Sequence, residues 1–103
     1  MSSRPSVEVI IQNIKGLHAR ASAKFVKTVT SHDAEVWVTR MVQNPADYDP
    51  EKDGPVNGGS LLGLMMLAAD IGTHLKLEAE GRQSTEVLDS LKMLIDNKFG
   101  EEE

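Results

Sequence analysis

From Ser6 to Gln12 the chain alternates: Val7, Val9 and Ile11 fall on one side, Glu8, Ile10 and Gln12 on the other. That period of two, in a β-branched run, predicts a strand. Asn13 to Gly16 breaks the pattern. Ser22, Phe25, Val26 and Val29 then recur at helical spacing, predicting a helix over Ala19–Thr30 with those residues facing the core. After a polar break at Ser31, His32 and Asp33, Ala34–Val42 reads as a second strand centred on Val36, Trp37 and Val38. Gln43 to Pro55 holds Pro45, Pro50 and Pro55, with Asp47, Asp49, Glu51 and Asp53 two apart, and predicts an exposed loop. It leaves room only for a short strand at Val56 and Asn57. Ser60 supplies a hydroxyl cap for a short helix over Leu61–Ala69, and Gly72 ends that turn. Thr73–Glu80 alternates again: Leu75, Leu77 and Ala79 point inward, His74, Lys76, Glu78 and Glu80 outward. Beyond Gly81, Gln83 or Ser84 caps a last helix through Phe99, striped by Leu88, Leu91 and Ile95 and flanked by Val87 and Leu94. Gly100 and Glu101 to Glu103 read as a frayed acidic tail.

The order βαββαβα, with half-polar strands and one-striped helices, predicts an α+β open-faced sandwich: a four-stranded antiparallel sheet with three helices on one face. At 103 residues the chain fits one compact domain over positions 1–103. An apolar content of 40% against 4% aromatic predicts an aliphatic core. Cysteine is absent, which excludes disulfides, thiolate metal sites and a cysteine nucleophile. Eleven Lys and Arg against 16 Asp and Glu give a net charge of −5, which argues against nucleic-acid binding through a global basic field. No apolar run approaches the ~20 residues of a membrane helix, and Met1 to Val7 is not a leader segment. The expectation is a cytoplasmic monomer, without metal and too small to surround a large cofactor.

Three histidines differ in setting. His74 lies on the polar side of a strand and reads as a solvated surface residue. His32 follows a helix and reads as a partner for its C-terminal dipole. His18, in Gly16-Leu17-His18-Ala19-Arg20, stands where loop becomes helix. Its side chain faces backbone N–H groups that have no intrahelical acceptor, an arrangement that binds anions. The positive end of the dipole disfavours a second positive charge on the ring, and a neutral imidazole is a nucleophile. A phosphoryl group taken there would find donors in place, and Arg20 could neutralise its oxygens. Alone, a histidine at a helix start is weak evidence.

Arg20, Lys24 and Lys27 follow i, i+4, i+7 spacing and share one helix face, suited to an acidic or phosphorylated partner or simply to solvent. The Ser60 helix is apolar nearly all round, so some of Leu61, Leu62 and Met65 must be exposed unless the long loop covers them. Exposed Leu and Met in a cluster read as a docking surface. Asp49-Pro50-Glu51-Lys52-Asp53-Gly54 imitates the first half of a calcium loop, but Ser60 stands where the bidentate Glu belongs. Gly58-Gly59-Ser60 lacks the downstream Lys and the preceding long strand of a nucleotide-binding loop.

Gly16-Leu17-His18-Ala19-Arg20-Ala21-Ser22-Ala23-Lys24-Phe25-Val26 resembles the active-site segment of HPr, the phosphocarrier family of the bacterial phosphoenolpyruvate-dependent phosphotransferase system. Val56-Asn57-Gly58-Gly59-Ser60-Leu61-Leu62-Gly63-Leu64-Met65 resembles that family's second signature, around its regulatory serine. The resemblance implies the same βαββαβα fold. It implies that His18 accepts phosphate on Nδ1 from phosphorylated Enzyme I and passes it to an Enzyme II A-type domain. Arg20 would assist through its charge, and the backbone amides of Ala19 and Arg20 would hold the phosphoryl oxygens. Leu61, Leu62, Met65 and Lys27 would fall at that family's partner-contact positions, and Lys24, on the same basic helix face as Lys27, completes the expected partner surface. Ser60 would be the target of HPr kinase/phosphorylase, where an added charge of about −2 would repel an acidic docking face.

Three features depart from the family. Ala21 stands where Pro is usual, which removes a residue preorganised for the first turn. The acidic loop at positions 43–54 resembles an insertion, and the three-Glu tail runs past the usual end. Such a carrier is modified stoichiometrically and is not an enzyme. The alternative is a regulatory binding module controlled by phosphorylation of Ser60, with His18 idle.

Overall fold

The computed structural model describes residues 4–101. Strand β4 (His74–Glu80) runs through the middle of the sheet, and its alternation is that of a half-buried strand: Leu75, Leu77 and Ala79 are fully buried, while His74, Lys76 and Glu80 are exposed. Strand β1 (Ser6–Ile10) pairs with it antiparallel on one side, with Val9 opposite Leu75. Strand β2 (Glu35–Arg40) pairs on the other, with Val36 opposite Ala79 and Val38 opposite Leu77. The two-residue strand β3 (Val56–Asn57) adds to the far edge of β2, giving the order β1-β4-β2-β3, antiparallel throughout.

Because side chains alternate across a strand, one face of this sheet is apolar, and the helices cover it. Helix α1 (Ala19–Thr30) turns Ala21, Ser22, Phe25 and Val29 inward. Val26, expected on that face, is only partly buried at its margin. Helix α3 (Ser84–Asp96) packs Val87, Leu88, Leu91 and Ile95 against β1 and β4, and α1 lies against both α3 and the short helix α2 (Leu61–Met66). The resulting core is aliphatic apart from Phe25 and Phe99. Burying a side chain the size of Phe25 contributes about 2–3 kcal/mol. On the open face, Arg4 stacks over Trp37 at 4.0 Å and pairs with Glu80 at 3.3 Å.

Several boundaries differ from the sequence reading. Strand β2 is shorter than Ala34–Val42. Helix α2 ends at Met66 rather than Ala69, because Ala68 turns left-handed (φ 49°) and Arg40, from β2, donates to the carbonyls of Leu67 and Ala68 (2.9 and 3.1 Å). A guanidinium there satisfies the helix's orphan carbonyls. Helix α3 stops at Asp96, and Lys98 and Phe99 are left-handed (φ 56° and 55°). Neither Gln83 nor Ser84 caps α3 with its side chain; the Gln83 amide oxygen accepts instead from the Asp33 N–H at 2.7 Å.

The segment over positions 43–54 is not uniformly exposed. It contains a 3₁₀ turn at Pro45–Asp47, and Asp53 is buried, its carboxylate accepting from the Asp49 N–H at 2.9 Å. Asp49 in turn accepts from the Glu51 N–H at 3.0 Å. These carboxylates are spent on the loop's own backbone. The tail expectation fails at Glu101, which is docked on the molecule; Glu102 and Glu103 lie outside the described residues.

Candidate functional site

The loop between β1 and α1 is fixed by Asn13, which is fully buried and donates from Nδ2 to the Gly16 carbonyl at 2.8 Å. Gly16 turns with φ 65°, and a Cβ there would lie 2.3 Å from the Ala69 carbonyl oxygen. Only glycine permits that approach. Leu17, buried, then donates from its N–H to the same carbonyl at 2.9 Å. The start of α1 is thereby sewn to the chain leaving α2.

His18 is the N-cap of α1, with extended backbone (φ −75°, ψ −178°). The first intrahelical bond runs from the Ser22 N–H to the His18 carbonyl at 2.8 Å, so the amides of Ala19, Arg20 and Ala21 have no intrahelical acceptor. The His18 Nδ1 accepts from the Arg20 N–H at 3.3 Å, and Nε2 faces the Glu101 carboxylate. These partners assign the ring its tautomer: a proton on Nε2, donated to Glu101, and a lone pair on Nδ1 aimed at the helix start. The imidazole is 26% exposed, so Nδ1 stands at a surface and not in the core.

Sequence reasoning missed Glu101. Its Oε1 accepts from Asn13 Nδ2 at 2.9 Å while Oε2 takes the His18 contact. The Asn13 amide, first, then His18 and Lys15, hold this carboxyl below the usual carboxylate range against the opposing effect of burial. The side chain reaches the site because Lys98, Phe99 and Gly100 all have positive φ and bend the tail back, with Phe99 plugged into the core. No local signal marks a residue 83 positions from its partner.

The basic stripe divides. Arg20 and Lys27 are exposed, but Lys24 is half-buried and its ammonium donates to the Phe99 carbonyl. Ser60 is the N-cap of α2, its Oγ accepting from the Gly63 N–H at 3.1 Å, and it remains half-exposed. Beyond it α2 buries Leu64 and presents Leu61, Leu62 and Met65 to solvent; Leu62 is 70% exposed. Ile14 and Ile71, from the two loops that the Leu17–Ala69 bond joins, are also exposed and were not foreseen. The other histidines stand apart. His74 is exposed on β4, and His32 bonds the Thr28 carbonyl at the end of α1 through Nδ1 at 2.7 Å. A hollow of about 480 Å³ bounded by His32, Asp33, Glu80 and Gly81 contains none of the expected site residues. Among the described residues no helix is long and apolar enough to cross a membrane, and no three His, Asp or Glu side chains converge as metal ligands.

Comparison with known proteins identifies the family. A family model described as "PTS HPr component phosphorylation site" matches residues 5–97. The phosphocarrier protein HPr of Neisseria meningitidis serogroup A is 44% identical over 100 residues, spanning 97% of this chain and 98% of its own. That of Pseudomonas aeruginosa is 43% identical over 99 residues, spanning 96% and 99%. Among solved structures, HPr-C-His from Thermoanaerobacter tengcongensis matches with a TM-score of 0.78 at 36% identity, over 96% of this chain and 99% of its own. The chain belongs to the HPr family, the phosphocarriers of the phosphotransferase system.

Proposed function

We propose that this chain carries a phosphoryl group on Nδ1 of His18, received from phosphorylated Enzyme I and passed to an Enzyme II A-type domain. The observation that carries the reading is the ring's placement: partly exposed, at the N-cap, with Nδ1 against the Arg20 amide. The Nδ1 lone pair attacks phosphorus. The bond from phosphorus to the donor breaks, and its electron pair stays with the donor. As the new bond forms, Nδ1 gives up its cap hydrogen bond, and the phosphoryl oxygens take over the amides of Ala19 and Arg20, where the helix dipole favours their charge. Arg20 is exposed beside them and supplies a cation. The same contacts serve transfer onward, so positioning does most of the work.

The partners dock on the apolar surface of Leu61, Leu62 and Met65, with Lys27 at its basic side; Lys24 serves the tail instead. Ser60, half-exposed at the N-cap of α2, lies within reach of HPr kinase/phosphorylase; a phosphate there sits at the edge of the docking surface and repels an acidic partner. The deciding experiment incubates the chain with phosphoenolpyruvate and catalytic Enzyme I. The expected product is an acid-labile, base-stable phosphate, present on wild type and absent from His18→Ala. An acid-stable phosphate that survives in His18→Ala would replace this reading with that of a regulatory module.

A further inference from the structure

The Glu101 carboxylate does more than a surface ion pair ordinarily does. An exposed pair of that kind contributes little, because both side chains must be ordered to form it. Here the ordering is done by other parts of the fold. Phe99 is 1% exposed in the core, the Lys24 ammonium binds its carbonyl, and the left-handed run from Lys98 to Gly100 directs the next residue over the site. Asn13, itself fully buried, then takes one Glu101 oxygen and leaves the other for His18.

We propose that Glu101 is a positioning residue for His18, a reading that rests on the carrier function above: it holds the ring proton on Nε2 and thereby keeps Nδ1 unprotonated and aimed at the incoming phosphorus. During transfer the ring keeps its Nε2 proton and gains a positive charge as the phosphorus–Nδ1 bond forms. Glu101 faces that charge without moving. Asn13 belongs to the same device, since it fixes the carboxylate and the Gly16 turn from one amide nitrogen.

The test uses Glu101→Gln in the full chain. Asn13 Nδ2 can only donate, so the glutamine oxygen stays with Asn13 and its NH2 group turns to His18, where it favours a ring that accepts at Nε2 and carries its proton on Nδ1. In ¹⁵N-histidine-labelled protein, long-range ¹H–¹⁵N correlation at a pH where the ring is neutral reads the tautomer directly. Wild type is expected to show Nε2–H, and the variant at least a threefold rise in the Nδ1–H form, with thermal unfolding compared to confirm the fold. Phosphoryl uptake with Enzyme I is expected to slow three- to tenfold in kcat, with KM within twofold. An unchanged tautomer ratio in Glu101→Gln overturns the proposal even if the chain is a carrier. If the ratio shifts but wild type takes up no phosphoryl group, the positioning role stands and the carrier reading falls.

Discussion

His18 uses both ring nitrogens in the resting protein, one to cap α1 and one to meet the tail. Ser60 performs the same capping task on α2 with a hydroxyl, which makes a less nucleophilic acceptor at an equivalent place. The difference is chemical: at neutral pH an imidazole lone pair can attack phosphorus directly, whereas a hydroxyl needs a base. At this scale Glu101 also predicts a pH dependence. Its folded carboxyl is held below the ordinary value of 4.5, chiefly by the Asn13 amide, so the native state favours the ionised form. Its contribution to stability is therefore complete above the ordinary value and is lost as pH falls through the lowered one. Urea unfolding of wild type and Glu101→Gln over descending pH should show the wild-type advantage at neutral pH shrinking in the acid range. At His18 a glycine turn and a helix start gave only a weak signal, and the two segments that resemble the HPr signatures singled the residue out. Glu101 was not, because its place depends on three backbone angles and a partner at the other end of the chain.

The elements themselves followed from periodicity. β4 and the faces of α1 and α3 were readable because each places its apolar residues at the period of its own geometry, and the core selects on that spacing. The ends were less readable, for two separate reasons. α2 is closed by Arg40, which comes from a strand 27 residues earlier than the carbonyl it binds and leaves no local mark. α3 was extended too far because Phe99 follows Ile95 at helical spacing; it is buried as that spacing demands, but by a left-handed turn rather than by another turn of helix. Phe99 thus joins core to site. Phe99→Ala should cost about 3–5 kcal/mol by leaving a cavity, measured by denaturant unfolding. It should also release the Glu101 contact, seen as altered His18 ring resonances in the folded fraction.

Across the whole molecule, the two faces of the sheet differ: the helices cover one, and the other is open. The helical layer carries both His18 and the exposed Leu61, Leu62 and Met65, and the proposed carrier function has a partner engage them together. Leu62→Asp should change stability by no more than about 0.5 kcal/mol, since its side chain is largely in water. The same change should raise KM for phosphoryl uptake from Enzyme I by tenfold or more, as an apolar anchor at the centre of a small interface would. Kinetics against donor concentration, together with an unfolding curve, check both halves.

The opposite face of the sheet holds Trp37, the one tryptophan of the chain, beneath the guanidinium of Arg4. Its indole is screened from the helical layer by the strand that bears it. The molecule therefore has a built-in fluorophore that registers melting of the sheet but stays dark to events at the imidazole. Unfolding of the sheet can be followed by its intrinsic fluorescence, with no dye and no added label.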